Sequence, residues 1–356
     1  MVQHRRGDEP RALRSRISDP RGGGGSGLSD GKRHRIRARR RGRVVIDMSA
    51  NTVNTSNTSG AGASVSASAT GLTAMIAMII RELQANIKPL LVWSLTIILF
   101  NIAGMMKFEG IAAGDTEAVR QLTEAFPKVA LAVMGISGLD MSTFAGYYAV
   151  LEFYVGIMAA VYAVALARNA VLREMVDGTY EFLFVRPVSR SRILTAKFVA
   201  ALIDAIVFAA VNLVSSLACL PMLGNGSAGG GVGAEHGLDD GAAVIWRFSL
   251  WLFVMMLVFG AIGACASLAS SVPSRGAAVG NGSVIVAYGA GVVYDMFADH
   301  DASVVARILS PFRYVTPDEV INGHVPVPFA ILAALIVIAG FTATYIIFNK
   351  RDLVPR

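Results

Sequence analysis

The chain has 356 residues, of which 54% are hydrophobic and only 16% are charged, and its formal net charge is +7. Ordinary soluble domains carry about 25% charged residues, so this composition excludes a typical soluble globular protein and indicates a multispanning membrane protein. With only two cysteines, neither a disulfide framework nor a thiolate metal site is expected.

The positive charge belongs to an N-terminal tail. Residues 1–46 hold 14 Lys and Arg against 4 Asp and Glu, whereas the rest of the chain holds 18 against 21. A Ser-, Thr-, Asn- and Ala-rich stretch follows, and neither part has enough apolar surface to offset the entropy cost of ordering. We expect residues 1–70 to be a disordered tail, or an upstream extension of a chain that starts at Met48. Its charge suits anionic lipid, and without interleaved aromatic residues nucleic acid is not expected as a partner.

A helical pattern begins at residue 71. Large apolar residues recur there at helical spacing, with charged and amide side chains between them: Leu72, Ile76, Ile79, Leu83 and Ile87. This pattern is typical of an amphipathic helix that lies at the membrane surface. Because proline disfavours helix in the residue before it, we expect Pro89 to end this helix. The sequence therefore predicts a separate entry helix over residues 71–89.

Six apolar segments follow, each judged against the roughly 20 residues that cross the hydrocarbon layer. They are residues 90–106, 145–167, 198–223, a stretch between Arg247 and Arg275, 277–294, and 327–348. The fifth is the weakest because it is rich in glycine, which we interpret as close helix packing. The sequence predicts a six-span domain over residues 90–349 and a short tail over residues 350–356.

The distribution of Lys and Arg sets the orientation. The connections at 168–197, 270–276 and 349–356 carry 10 basic residues in 45, whereas those on the opposite side carry 6 in 93. The richer side is cytoplasmic by the positive-inside rule. We therefore predict an all-α, multi-pass protein of the cell membrane, with both termini in the cytoplasm and the long loops outside.

The sequence contains no recognisable catalytic motif. No GxxxxGK[ST] phosphate loop is present, and neither HExxH nor GxSxG occurs. We therefore predict no catalytic site, no metal site and no cofactor bound by this chain itself.

Two acidic residues lie within predicted spans, Glu152 in the second and Asp204 in the third. A carboxylate that faces lipid is costly, so each should face the bundle interior or a wet cavity. They are candidates for the transport path. The alternative is a structural hydrogen bond, or a position close enough to the membrane interface to reach water. This alternative is favoured for Asp204, because it lies only seven residues after Lys197.

The cytoplasmic segment 168–197 combines acidic and basic residues with apolar ones. Its first part is acidic and aromatic, and its second part is basic. A turn around Pro187 with Ser189 as the N-cap is expected to start the helix that enters the third span. Such a surface suits docking into a groove on another protein, and the alternative is a solvated loop that follows the positive-inside rule.

The stretch EMVDGTYEFLFVRPVSRSRILTAKF resembles the cytoplasmic loop of ABC-2 type ATP-binding-cassette transporter permeases. Those proteins commonly read E, then GT, E and LL, then P-[LV]-S-R and a lysine that enters the next span. The positions that match are Glu174, Gly178, Thr179, Glu181, Pro187, Ser189, Arg190 and Lys197. Phe182 and its neighbours replace the usual leucines, which keeps the docking surface apolar. The six spans, the entry helix and the inside termini extend the resemblance over residues 71–350.

The resemblance implies a permease subunit without an ATPase of its own. A cytoplasmic ABC ATPase that binds ATP and Mg would dock on this segment, two permease copies would form the path, and export is the expected direction. Residues 174–184 would be the docking face, and residues 187–197 the lever that joins it to the third span. Two alternatives remain: a secondary transporter driven by an ion gradient through Glu152 and Asp204, and a membrane anchor or assembly factor.

Overall fold

The computed structural model describes residues 59–112, 114, 116–176, 189–223, 238–269, 273–298, 300 and 303–350. In chain order its helices are α1 (Ser59–Ala112), α2 (Thr116–Ala125), α3 (Lys128–Met134), α4 (Phe144–Val176), α5 (Arg190–Leu223), α6 (Leu238–Ala269), α7 (Pro273–Met296), α8 (Ser303–Leu309), a 3₁₀ turn (Pro311–Arg313), α9 (Pro317–Ile321) and α10 (Val327–Lys350). None of these described residues lies in a β-strand.

Six of the helices are long and apolar enough to cross a membrane, namely α1, α4, α5, α6, α7 and α10. They coincide with the six spans that hydropathy predicts, so the prediction of an all-α integral membrane protein is confirmed. The last six residues and the first 58 lie outside the described residues, and so does most of the segment expected to dock an ATPase.

The entry helix is not a separate element, and the prediction that Pro89 ends it is wrong. Pro89 lies inside α1, which runs without a break for 54 residues. A proline inside a helix removes one backbone hydrogen bond and crowds the preceding turn. Side chains on both sides of it, Asn86 and Asn101, hydrogen-bond to α5. We infer that this packing outweighs the lost hydrogen bond.

The helix also begins earlier than the sequence predicts. Ser59–Thr70, which the sequence places in the disordered tail, form the first turns of α1. These residues are mostly Ala, Ser and Gly with Thr70 at the end. Alanine is the best helix former, and extending an existing helix avoids the cost of nucleation. A helix already formed in the apolar stretch can therefore continue back into this polar sequence.

Helices α4 and α6 form the centre of the bundle. In the most apolar window of α4, 67% of the residues are buried, against 17% in α10. Helix α1 packs mainly on α5, whereas α6 touches α4, α5, α7 and α10. The core between them holds large side chains that are almost completely buried: Tyr148, Tyr162, Phe208, Phe259, Met256 and Ile97.

The outer connection between α7 and α10 enters the bundle, although the sequence pattern placed all of it outside. Its residues 310–314, here called the inserted segment, are mostly buried. Ser310 Oγ donates a hydrogen bond to the backbone oxygen of Ala287 over 2.7 Å, and the Phe312 ring lies 5.0 Å from that of Phe259. Ala287 lies nine residues before Met296, about 14 Å along the helix axis at 1.5 Å per residue. The inserted segment therefore forms the outer wall of the interior between α4, α6 and α7.

Candidate functional site

Glu82 of α1 joins the two helices that flank the cytoplasmic segment. Its Oε2 lies 3.1 Å from a guanidinium nitrogen of Arg173, near the end of α4. Its Oε1 lies 3.5 Å from Nζ of Lys197, in the third turn of α5. The Glu82 side chain is 5% exposed and that of Lys197 is 4% exposed. Both ends of the segment therefore converge on one buried carboxylate, and we call Glu82, Arg173 and Lys197 the Glu82 hub.

The hub continues through hydrogen bonds into α5. Arg173 donates to Asn86 Oδ1 over 2.6 Å, and Asn86 Nδ2 donates to Asp204 Oδ2 over 2.7 Å. Asn86 lies one helical turn after Glu82, so both side chains lie on the same face of α1. This chain of contacts connects three helices at the end of the bundle that the sequence predicts to be cytoplasmic. Asp204 is thus held by a hydrogen bond from Asn86 in this structure.

The residues expected to dock a partner fall partly inside the described chain. Ser189 is exposed and directly precedes α5, and its backbone oxygen accepts the amide of Ile193 over 3.2 Å. Ser189 thus stands at the N-cap position that the sequence predicts, and Arg190 is the first residue of α5. Glu174 lies in the last turn of α4, but its side chain is outside the described residues. Also outside them lie Gly178, Thr179, Glu181, Phe182 and Pro187.

Lys197 does not offer an exposed docking surface. It is buried against α1 rather than exposed to a partner. In this structure it cannot contact an ATPase directly, so its contribution to docking would have to pass through Glu82. This position agrees with a lever and not with a contact surface.

Glu152 belongs to a second polar network in the bundle interior. Its Oε1 accepts hydrogen bonds from the Tyr148 hydroxyl over 2.5 Å and from Asn212 Nδ2 over 2.8 Å. Asn101 Nδ2 of α1 in turn donates to Asn212 Oδ1 over 3.0 Å. This network joins α4, α5 and α1 through neutral partners. In the described part of the chain, no basic nitrogen lies within salt-bridging distance of Glu152.

The two intramembrane acids do not meet. Asp204 is held by Asn86, whereas Glu152 is held by Asn212. Asp204 and Asn212 are eight residues apart on α5, about 12 Å along its axis. A single ion site built from both carboxylates is therefore not formed in this structure.

Glu152 also lines a partly open cavity of about 90 Å³ between α4, α6, α10 and the inserted segment. Its walls are mostly apolar and include five aromatic side chains, with Phe153 from α4, Phe248 and Trp251 from α6, and Phe312 and Tyr314 from the outer connection. Arg313 lines the same cavity and forms an ion pair with Asp295 of α7. A second cavity, of about 410 Å³, lies between α4, α5, α6 and α10, and its lining is apolar apart from Thr195 and Tyr345, which hydrogen-bond to each other over 2.8 Å.

The outer connection is held in shape by Arg307. One guanidinium nitrogen lies 2.8 and 2.6 Å from the two carboxylate oxygens of Glu319, and the group stacks over the Phe329 ring at 4.1 Å. Glu319 also caps α9 in a reciprocal pair with Thr316. Burial alone would raise the pKa of Glu319, but the hydrogen bonds from Arg307 and Thr316 outweigh it and hold that pKa below its usual value.

Sequence reasoning found both buried acids but missed the hub and the inserted segment. The signal for the hub was present: Glu82 and Asn86 are four residues apart in an apolar helix, as Tyr148 and Glu152 are in α4. Polar pairs with that spacing lie on one helix face, and in an apolar environment such a face needs a polar partner.

A search of curated proteins finds no match to this chain. The family model described as ABC-2 family transporter protein matches residues 76–353. This range contains the six membrane helices, except for the beginning of α1. The resemblance noted in the cytoplasmic segment is thereby confirmed. With its six membrane helices and this match over more than three quarters of its length, the chain belongs to the ABC-2 family of transporter proteins and is a multi-pass membrane permease.

Proposed function

We propose that this permease is the membrane-spanning subunit of an ATP-binding-cassette exporter. A separate cytoplasmic ATPase binds ATP and Mg, and a second permease copy completes the transport path. Family membership supports the permease part. The observation that carries the coupling part is the Glu82 hub, because it joins both ends of the proposed docking segment to α1.

The ATPase is proposed to contact the segment at Glu174, Gly178, Thr179, Glu181 and Phe182. Beyond Pro187, Ser189 and Arg190 begin α5, so a push on the segment becomes a displacement of that helix. Lys197 and Arg173 transfer this displacement to Glu82 and hence to α1. The ion pair between Glu82 and Lys197 is buried. Attraction between charges is stronger in the low-dielectric interior than in water, and this makes the hub a stiff connection.

Co-purification with a candidate ATPase tests the docking. In a Glu181→Lys, Arg190→Glu double variant the charges of the docking segment are exchanged without altering its net charge. The control is Glu117→Lys, Arg120→Glu, because these side chains lie on outer helix α2 and are 54% and 60% exposed. We expect the control to retain the ATPase and the docking variant to lose it. Retention of the ATPase and of ATP-dependent transport by the docking variant would contradict the proposal.

A further inference from the structure

The cavity beside Glu152 has a charge that its own walls do not balance. Arg313 is buried and paired with Asp295, so these two charges offset each other. Glu152 is 5% exposed, and its hydrogen-bond partners, Tyr148 and Asn212, are both neutral. With the carboxylate ionised, the three charged groups sum to one negative charge. An isolated charge in an apolar interior is costly, and a monovalent cation in the cavity would remove that cost.

The other walls of the cavity select the kind of cation. Five aromatic side chains line it, from Phe153, Phe248, Trp251, Phe312 and Tyr314. The face of an aromatic ring attracts cations, and cages of such rings bind quaternary and methylated ammonium groups. The ring of Phe153 already holds a cation in this way, since the Arg313 guanidinium carbon lies 5.4 Å from its centroid.

The size of the cavity limits what enters. Its volume of about 90 Å³ is small beside the roughly 300–1,000 Å³ of a pocket for a drug-sized ligand. This space suits a compact ammonium head group and not a whole drug-sized molecule, whose remainder would extend out of the opening. A metal cation suits the cavity less well, because it has no apolar groups to bury against the aromatic side chains.

Arg313, which also lines the cavity, carries a second buried polar group. The Nε of Arg313 has no hydrogen-bond acceptor among the described residues, although the side chain is only 4% exposed. An unpaired buried donor is costly. An oxygen atom of the ligand, placed next to its ammonium group, would satisfy this donor.

We propose that this cavity binds the ammonium head group of a small organic cation, with Glu152 as its counter-ion and the aromatic side chains as its walls. Binding needs only the permease. The further idea, that this binding is a step in the transport of cationic compounds, rests on the proposed function.

Choline is the probe, because it carries a trimethylammonium group beside a hydroxyl. Its neutral isostere, 3,3-dimethylbutan-1-ol, has the same shape without the charge. Binding of radiolabelled choline to the purified permease, without an ATPase, is measured by scintillation proximity, and the isostere is tested as a competitor. We expect the isostere to compete at least about tenfold more weakly than unlabelled choline.

Glu152→Gln keeps an acceptor for Tyr148 and Asn212 but removes the charge. We expect it to weaken choline binding at least about tenfold while thermal melting shows a folded protein. Trp251→Leu keeps the charge and removes one wall, and it should also weaken binding. Glu117→Gln, on the exposed outer helix α2, should bind choline as the wild type does.

Three results would overturn the proposal: equal affinity of choline and its isostere, no choline binding to the wild type, or unchanged choline binding in Glu152→Gln. Each is independent of ATPase docking, because no ATPase is present. Conversely, retention of the ATPase by the docking variant, which would contradict the proposed function, would leave the choline result intact.

Discussion

Arg173 and Lys197, which stand at opposite ends of the cytoplasmic segment, bind different oxygens of the same carboxylate, Glu82. They are 24 positions apart in the sequence, and the residues between them form the region that resembles the ATPase-binding loop of related permeases. The structure thus connects the ends of this loop to each other through α1. Any force applied to the loop would reach α1, α4 and α5 together.

Replacement of Glu82 should destabilise the permease, because it leaves the buried Lys197 and the partly buried Arg173 without their shared counter-charge. Breaking a buried ion pair by removing one partner typically costs about 3–5 kcal/mol. We expect Glu82→Gln to lower the melting temperature in detergent clearly. The control Glu117→Gln removes an exposed acid of α2 and should change it little.

Removing a matching positive charge should restore part of that loss. In Glu82→Gln, Lys197→Met both members of the pair become neutral, and replacing both partners of a buried pair is often nearly neutral for stability. We therefore expect the double variant to melt above Glu82→Gln alone. Additive destabilisation by the two changes would show that the pair makes no direct contribution.

The network around Glu152 should contribute less. Asn101 is fully buried and its amide bridges α1 to α5 through Asn212 and Ser215. Hydrogen bonds between membrane helices average about 0.6 kcal/mol and reach about 1.7 kcal/mol. We expect Asn101→Ala to cost an amount in this range, as measured by reversible unfolding in mixed micelles. A cost as large as that of Glu82→Gln would contradict this ranking of the two networks.

Acid should loosen the outer connection. The pKa of Glu319 is lowered in the folded state, so its stabilising effect is complete above the unfolded value of about 4.3 and is lost as the pH falls through the folded one. Below about pH 4, hydrogen exchange should rise in α9 and the inserted segment. In Glu319→Gln, exchange in this region should be higher at neutral pH and change less with acid. Equal acid sensitivity in both proteins would assign the effect to another group.

Glycine positions in the bundle should differ sharply in their tolerance. A Cβ atom on Gly263 of α6 would lie 3.0 Å from the backbone of Val164 in α4, whereas one on Gly282 of α7 would have no neighbour within 4 Å. Overpacking typically costs about 1–3 kcal/mol. We expect Gly263→Ala to lower the melting temperature and Gly282→Ala to leave it unchanged or raise it slightly. Comparable effects at both sites would contradict the packing described for α4 and α6.

Hydropathy was sufficient to predict the six spans because each needs only its own residues to be apolar over the required length. It also located Glu152 and Asp204 as buried acids. Their partners could not be predicted, because Asn212 and Asn86 reach them across helices and over many intervening residues. The resemblance of one short segment identified the family correctly, although most of that segment lies outside the described residues.

Two local signals were misleading for physical reasons. Pro89 usually marks a helix end, but side-chain contacts to α5 on both sides of it keep α1 continuous. Residues 310–313 belong to a connection predicted to lie outside the membrane, yet Arg313 is buried together with its counter-charge Asp295. In both cases tertiary contacts outweigh the local preference, and a single sequence does not reveal them.

In the proposed coupling, the cytoplasmic segment and α1 move as one unit when the ATPase works. Spin labels at Ile80 of α1 and Arg192 of α5, both exposed, report the separation of these helices in the complex with its ATPase. We expect ATP to leave this distance unchanged in the wild type and to alter it in Glu82→Gln, Lys197→Met, where the hub is removed. A nucleotide-dependent distance in the wild type, or an equally fixed one in the variant, would contradict the claim.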